Sequence, residues 1–496
     1  LRRQRQMCIR DRSTTGTYPA VMARQPNIVL INCDDLGYGD LGCFGSQVHD
    51  TPRIDALADE GVRLTSFYMA APVCTPSRGS MLTGSYPSRI GFDDFGGLHV
   101  LFPGMQYGLN PKEHTIASVL KDAGYATEII GKWHCGDQPE FLPTNHGFDR
   151  WFGLPYSNDM GTQVSDAMLE HAEALRAAGF TPPPVLPYPP LPLMDGEQVV
   201  EKQPDQTMLT RRYVERSVEF VRDNVDRPFF LYFAHMHVHL PLYVEDTFHG
   251  GSRNGPYGAA VHAIDWATGV LLDELDALGL ADDTIVIFTS DNGALARPGE
   301  GSNAPLRGNK GRTTEGGMRV PAIIRWPDVV PAGVAHDELT TAMDLLPTLA
   351  RWAGTSVPDD VVIDGHDISD VVINGATSPY ETFAYFNGTS LDSVRDHRYK
   401  LRLLRRHGGQ REDITELYDL IDDIGETTDI SSEHPDVVAR LRAAADRFRR
   451  ELGDGHTGEP GTGRRPQGVV DEATTLCLLD DDNPMVIAEY DLPDRG

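Results

Sequence analysis

Residues 27–35 read Asn-Ile-Val-Leu-Ile-Asn-Cys-Asp-Asp, an apolar run of one strand's length closed by two adjacent carboxylates. A run this continuous suits a strand buried on both faces, as in a sheet with helices above and below. Ala126–Ile130, Pro228–Phe233 and Thr284–Thr289 repeat the type. Between them the spacing predicts helices over Ile54–Asp59, His114–Ala123, Asp205–Asn224 and Tyr257–Leu278, the last two the longest. Gly124 stands where a left-handed residue ends the second of them. Strand and helix alternate from Asn27 to about Gly375, the pattern of an α/β domain built on a largely parallel sheet.

Beyond Gly375 the pattern changes to short strands (Thr382–Phe386, Tyr399–Leu404), then a helix over Asp436–Leu452 and a Gly/Pro-rich tail, a smaller α+β unit. The expected division is therefore an N-terminal extension at 1–23, a catalytic domain at 24–376 and a smaller domain with tail at 377–496. Pro182–Pro192 holds seven prolines in eleven positions, so it reads as an extended surface connector or pocket rim rather than a central strand or helix. The basic run Arg402, Arg405, Arg406 and Arg411 reads as a solvated edge or hairpin.

The chain has 496 residues, 40% of them hydrophobic, enough for a large core and more than one core normally serves. It has no apolar run of about eighteen residues, and so no membrane-spanning helix. Leu1–Arg12 is basic and polar and is not a secretory signal peptide as written; a cytoplasmic and a periplasmic or secreted address both stay open. A formal charge of −29, with the acids spread along the chain, excludes nucleic acid as a natural partner and disfavours long polyanions. The six cysteines, Cys8, Cys33, Cys43, Cys74, Cys135 and Cys477, show neither zinc spacing nor a disulfide framework.

In open α/β sheets ligands gather beyond the carboxyl ends of strands. Asp34 and Asp35 follow the first strand, and Asp291 and Asn292 follow TIVIFTS. Carboxylates at two such ends repel unless a cation lies among them, and an all-oxygen set favours Ca²⁺, with Mg²⁺ as the substitute. Lys132 and His134 follow the strand at Ala126, while His235, His237 and His239 follow PFFLYF. Lys310 sits between Gly308 and Gly311, where backbone can approach a ligand closely. Residues 74–84, Cys-Thr-Pro-Ser-Arg-Gly-Ser-Met-Leu-Thr-Gly, place a thiol before a helix expected to be capped by Thr75 and to begin at Pro76, with Arg78 four residues on and on the same face. Alone, such a thiol is either a small buried hydrophobe or a nucleophile beside an oxyanion site.

CTPSRGSMLTG at 74–84 and GYATEIIGKWH at 124–134 resemble the two signatures of the formylglycine-dependent sulfatases. NIVLINCDDLGYGDLGCFG at 27–45 and DNG at 291–293 resemble that family's metal-binding segments. The likeness runs from about Asn27 to Leu452, and GFDRWFGLPYSND and DRPFFLYFAHMHVHLP look most like its arylsulfatase A and galactosamine-sulfatase branch. It implies an alkaline-phosphatase-like α/β fold, with a large, mixed but mostly parallel sheet flanked by helices, and hydrolysis of sulfate monoesters of an aryl alcohol or saccharide.

The resemblance further implies that a maturation enzyme oxidises Cys74 to formylglycine. One hydroxyl of the hydrated aldehyde attacks sulfur, and collapse of the second expels sulfate, so no water need attack a hindered anionic ester. It implies that Asp34, Asp35, Asp291, Asn292 and the modified Cys74 hold Ca²⁺, that Arg78 orients residue 74, and that Lys132 and Lys310 bind sulfate. By the same resemblance His134 takes the proton of the sulfated hemiacetal, His239 contacts substrate and serves the leaving alcohol as acid, and Ser157 contacts substrate. The cysteines of lysosomal relatives are mostly absent near the C-terminus, so their disulfides and cell address do not transfer. Two alternatives stand beside this reading. One is a phosphonate monoester or phosphodiester hydrolase of the same superfamily; the other is a calcium-dependent glycan-binding protein with a silent Cys74.

Overall fold

The structure, a computed structural model, describes residues 25–162, 176, 188–297, 300–407 and 410–478. The expected N-terminal extension and Cys8 fall outside them, as does most of the proline-rich stretch before Tyr188. Ten strands form one sheet, in the spatial order Val334–His336, Val62–Leu64, Ala322–Arg325, Thr284–Ser290, Asn27–Cys33, Phe229–Ala234, Ala126–Gly131, Arg150–Gly153, Pro192–Asp195 and Gln198–Lys202. The five from Thr284–Ser290 to Arg150–Gly153 are mutually parallel, with antiparallel strands added on either side. Pro192 opens a strand toward the edge of the sheet, where its missing N–H is tolerated.

Alternation along Asn27–Cys33 decides the layers. Ile28 and Leu30 join the core under the helices Cys74–Thr83, Ile116–Asp122 and Leu345–Trp352. Val29, Ile31 and Cys33 join the core on the opposite face, under Pro52–Asp59, Leu209–Asp223 and Gly255–Ala277. Every residue of this strand is buried, which is why the sequence shows no polar face. A fully buried Leu, Ile or Phe contributes about 1.5–3 kcal/mol, so each of these strands is held from both faces.

Register then places the strand ends. Cys33 pairs with Ser290, Asn32 with Ala234, and Ala234 with Gly131, so Asp34 and Asp291 leave the sheet at one level and His235 and Lys132 one residue before it. Gly131 makes the close approach possible. It has φ +110°, and a Cβ there would lie 1.9 Å from the Ala234 carbonyl oxygen.

The second sheet is a four-stranded antiparallel meander of Phe383–Asn387, Ser390–Arg395, Tyr399–His407 and Gln410–Asp419, covered by the helix Pro435–Leu452. The basic run forms part of its last hairpin, with Arg402 and Arg405 paired to Glu416 and Arg406 to Asp392. Helix lengths differ from expectation. Gly255–Ala277 is the longest at 23 residues, but Pro435–Leu452, with 18, exceeds the 15 of Leu209–Asp223, because a 3-10 turn at Gln206–Met208 takes up the start of the latter. The Gly/Pro-rich tail is also tied down, since Gly468–Val469 pairs with Tyr107–Gly108.

Candidate active site

Five parallel strand ends converge on Cys74. The helix carrying it runs Cys74–Thr83 with Val73 as its N-cap, two residues earlier than the sequence suggested; Val73 is extended, and its carbonyl accepts the first turn's bond from Ser77 N–H. Pro76 is therefore third in the helix, where it still forfeits no intrahelical bond. Thr75 uses its hydroxyl elsewhere, accepting from Leu101 N–H at 3.2 Å. The whole helix is buried.

The Cys74 thiol donates to Asp34 Oδ1 at 3.3 Å, and Lys310 Nζ approaches its Sγ at 3.3 Å. Burial and the carboxylates of Asp291 and Asp34 push the thiol well above its ordinary range, outweighing the lysines. As cysteine, this residue is a poor nucleophile.

Asp34 is fully buried and bonds Lys132 Nζ at 2.6 Å. Burial alone would raise its pKa, but Lys132, His239, Arg78 and Lys310 together hold it well below the carboxylate range. Asp291 moves the other way: burial and repulsion from Asp34 raise it, although Arg78 Nε donates to it at 2.7 Å. Arg78 also donates to the Lys132 carbonyl at 3.0 Å, bracing two strand ends against each other. Asp35 lies 2.7 Å from Lys310 Nζ and accepts from Asn292 Nδ2 at 2.7 Å.

Asp35 and His134 hold φ of +62° and +58°, backbone that costs a non-glycine residue about 1–3 kcal/mol and gathers at functional sites. The Nε2 of His134 lies 3.0 Å from the Leu101 carbonyl, which fixes the proton on that nitrogen. Its Nδ1 is buried with no hydrogen-bond partner among the described residues. Burial and then Lys132 hold this imidazole well below its usual range, so it is a neutral base with one bare lone pair. His239 bonds the Leu240 carbonyl through Nδ1 at 2.6 Å and turns Nε2 toward Asp35 at 3.8 Å. Ser157, at the fifth strand end, accepts from Lys132 Nζ at 2.6 Å.

The structure thus brings together Cys74, Arg78, Lys132, His134, Ser157, His239, Lys310, Asp34, Asp35, Asp291 and Asn292. His235 and His237 lie behind the site, buried with their rings 5.3 Å apart; His237 contributes its carbonyl to Asp34 N–H. The sequence offered no sign of Leu101, which acts through its backbone alone.

The carboxylates at this site fit a hard cation, with a thiol and an imidazole, softer donors, beside them. One ligand atom from each of Asp34, Asp35, Cys74 and His239 lies within 4.8 Å of the others. Asn292 Oδ1 is buried with no partner among the described residues, an acceptor that a cation would satisfy.

Comparison with known proteins agrees with this geometry. A family model described as Sulfatase matches residues 26–355, and one described as N-sulphoglucosamine sulphohydrolase, C-terminal, matches 309–451. The chain is 40% identical to the steryl-sulfatase of Mus musculus over 75% of its length and 69% of the relative's. It is 37% identical to arylsulfatase A of Homo sapiens (85% and 87% covered) and 37% identical to the N-acetylgalactosamine-6-sulfatase of Canis lupus familiaris (78% and 73%). Among solved structures, the PsFucS1 sulfatase from Pseudoalteromonas sp. superposes with a TM-score of 0.76 at 27% identity, covering 88% of this chain and 92% of the other. A phosphonate monoester hydrolase of Agrobacterium radiobacter is more distant, with a TM-score of 0.59 and 19% identity over 85% and 95%, a likeness of fold alone. Among the described residues no helix is long and apolar enough to cross a membrane.

Proposed function

The chain belongs to the sulfatase family and is a sulfuric ester hydrolase of the arylsulfatase A-like branch, and from that premise we propose how its residues divide the work. The reading is that residue 74, converted from cysteine to formylglycine, carries the nucleophile for a sulfate monoester of an aryl alcohol or short saccharide. The observation that carries it is the position of Cys74 Sγ, 3.3 Å from both Asp34 Oδ1 and Lys310 Nζ, between the carboxylates and the fixed cations. Converted to formylglycine, residue 74 would offer a hydrated aldehyde, whose second hydroxyl lets sulfate leave by elimination.

Asp34, Asp35, Asp291 and Asn292, with the modified residue 74, would hold Ca²⁺, or Mg²⁺ in its place. When bound, such an ion supplies Lewis acidity and charge stabilisation beside the ester. The three carboxylates are otherwise balanced by Lys132, Lys310 and Arg78, so a dication makes the site net positive and receptive to the ester's single negative charge.

Lys132 and Lys310 bind the sulfate oxygens. Ser157 keeps Lys132 from swinging wholly onto Asp34 and meets the substrate beside it. Arg78 neutralises Asp291 and holds the helix of residue 74 against the Lys132 turn. His134 accepts a proton at Nδ1, its other nitrogen being committed to Leu101. His239, at the less buried side of the cluster, serves the departing alcohol.

Mass spectrometry of the peptide carrying residue 74, from protein made in its native host, tests the premise; an intact thiol there removes the nucleophile. Comparing kcat/KM for a nitrophenyl sulfate and a bis-nitrophenyl phosphate tests the chemistry, and a strong preference for the diester overturns the sulfate reading. Cys74→Ala should abolish turnover and leave the fold intact.

A further inference from the structure

Lys310 has one backbone anchor of its own, its N–H donating to the Ala294 carbonyl at 3.0 Å, and the residues on either side of it are the weaker part of the segment. Gly308 and Gly311 flank it in left-handed conformations, with φ +86° and +79°, and glycine gives up the most freedom on being held still. The restraint comes from outside. On one side Gly311 N–H donates to the carbonyl of Pro72, two residues before Cys74, at 2.8 Å. On the other, the four-stranded sheet bonds Gly311, Thr313 and Glu315 among the next five residues. Asn387 Nδ2 donates to the Gly311 carbonyl at 3.0 Å. Thr313 Oγ1 donates to Asp392 Oδ2 at 3.0 Å, and the same carboxylate is fixed by Arg406 Nε at 3.0 Å. Lys400 Nζ donates to the Thr313 carbonyl at 2.8 Å and to Glu315 Oε1 at 3.0 Å, with Glu426 Oε1 also at 3.0 Å and the Tyr385 ring centroid at 4.0 Å.

Lys400 is fully buried, and Asn387 and Asp392 nearly so. Withdrawing an ammonium from water costs several kcal/mol unless its partners are well placed, and hydrophobic packing would join two layers at less expense. What an apolar contact cannot do is hold a carbonyl and a carboxylate of one loop in register. None of these side chains bonds Asp34, Asp35 or Cys74; each bonds the segment that delivers Lys310 to them.

We propose that the four-stranded sheet is a positioning element for Lys310, with Asn387, Asp392 and Lys400 as positioning residues that keep its ammonium against residue 74. The inference rests on the reading of Lys310 as a sulfate-binding residue. A lysine free to swing would still neutralise Asp35 but would meet the sulfate oxygens in only a fraction of encounters. Loss of the clamp therefore weakens sulfate binding more than it slows chemistry.

Asn387→Ala is the primary test, because it removes one neutral hydrogen bond and leaves no charge buried alone; Lys400→Met is the harsher companion. Each is made in the parent and in a Lys310→Ala background. Two quantities are read: KM and kcat for a nitrophenyl sulfate, and the inorganic sulfate concentration giving half the maximal thermal shift, which needs no turnover. Asn387→Ala should raise KM and the half-shift concentration about 3–10-fold, with kcat within about twofold, and should add nothing to Lys310→Ala, as coupled neighbours do. A lower melting temperature with KM and half-shift concentration unchanged overturns the proposal, as does a loss that multiplies in the Lys310→Ala background. Should Lys310→Ala itself leave both readouts untouched, the reading of Lys310 fails and takes this inference with it.

Discussion

His134 shows how one backbone atom sets a side chain's chemistry. A histidine in water titrates near neutrality and exchanges tautomers freely. Here the Leu101 carbonyl claims Nε2–H, while burial and the nearby Lys132 ammonium remove the charged form, so Nδ1 is left as a base. His134→Gln keeps a polar acceptor but has no basic nitrogen. It should lower kcat about 10²–10⁴-fold, the range for general base catalysis, with KM within about threefold; steady-state kinetics showing the reverse split would make His134 a binding residue. Asn292 invites a parallel test, because its Nδ2 is committed to Asp35 and its Oδ1 to nothing described. Asn292→Ala should raise the Ca²⁺ concentration for half-maximal thermal protection by at least about tenfold. An unchanged titration would remove Asn292 from the cation's ligands.

At the scale of the element, register governs the outcome. Gly131 lets the Ala126–Gly131 strand run against Phe229–Ala234 to its last residue, and only then can Lys132 turn into the site. A methyl 1.9 Å from a carbonyl oxygen cannot be absorbed by a rotamer change, so Gly131→Ala should part the two strands and cost about 3 kcal/mol or more, read by denaturant melts. The same strand buries Glu128, whose Oε2 has no partner among the described residues; burial pushes its pKa up to about 8 despite Arg150 and Arg216. A carboxyl raised in the folded state favours folding while protonated, so that contribution is complete below its unfolded pKa of about 4.3 and is lost as pH rises through about 8. Glu128→Gln should match the parent near pH 4 and exceed it by a few kcal/mol at pH 9; parallel pH–stability curves would contradict the cause assigned.

Strand ends were legible because a buried parallel strand must be apolar while the turn at its carboxyl end, where ligands gather, is polar, and that contrast survives in NIVLINCDD and TIVIFTSDN. The start of the Cys74 helix was less legible, because Thr75 and Pro76 are a strong local signal for an N-cap and first turn. Tertiary structure overrode it by assigning the Thr75 hydroxyl to Leu101. Leu101 and Lys400 were not legible at all. The first acts through a carbonyl that every residue has, and the second opens a basic run that the sequence reads as a solvated edge, although Arg402 is buried along with it.

For the whole molecule, the question is how a chain of charge −29 admits an anion. The cations proposed to receive it, Lys132 and Lys310, are buried or nearly so at the floor of the site, with Arg78 buried behind them, while the acids are spread along the rest of the chain. A small monosulfate meets that floor at distances of a few ångströms, inside the reach of any salt screening. A long polysulfated chain must lay its remaining charges across the acidic exterior. That repulsion acts over a Debye length of about 30 Å at 0.01 M salt and about 8 Å at 0.15 M. Raising salt across this range should therefore increase kcat/KM for a polysulfated oligosaccharide several-fold, while that for a monosulfated aryl ester stays within about twofold. Initial rates at subsaturating substrate measure both. If the oligosaccharide's rate instead fell with salt, an attractive lane on the surface would outweigh the net charge, and the preference for short substrates would have to be abandoned.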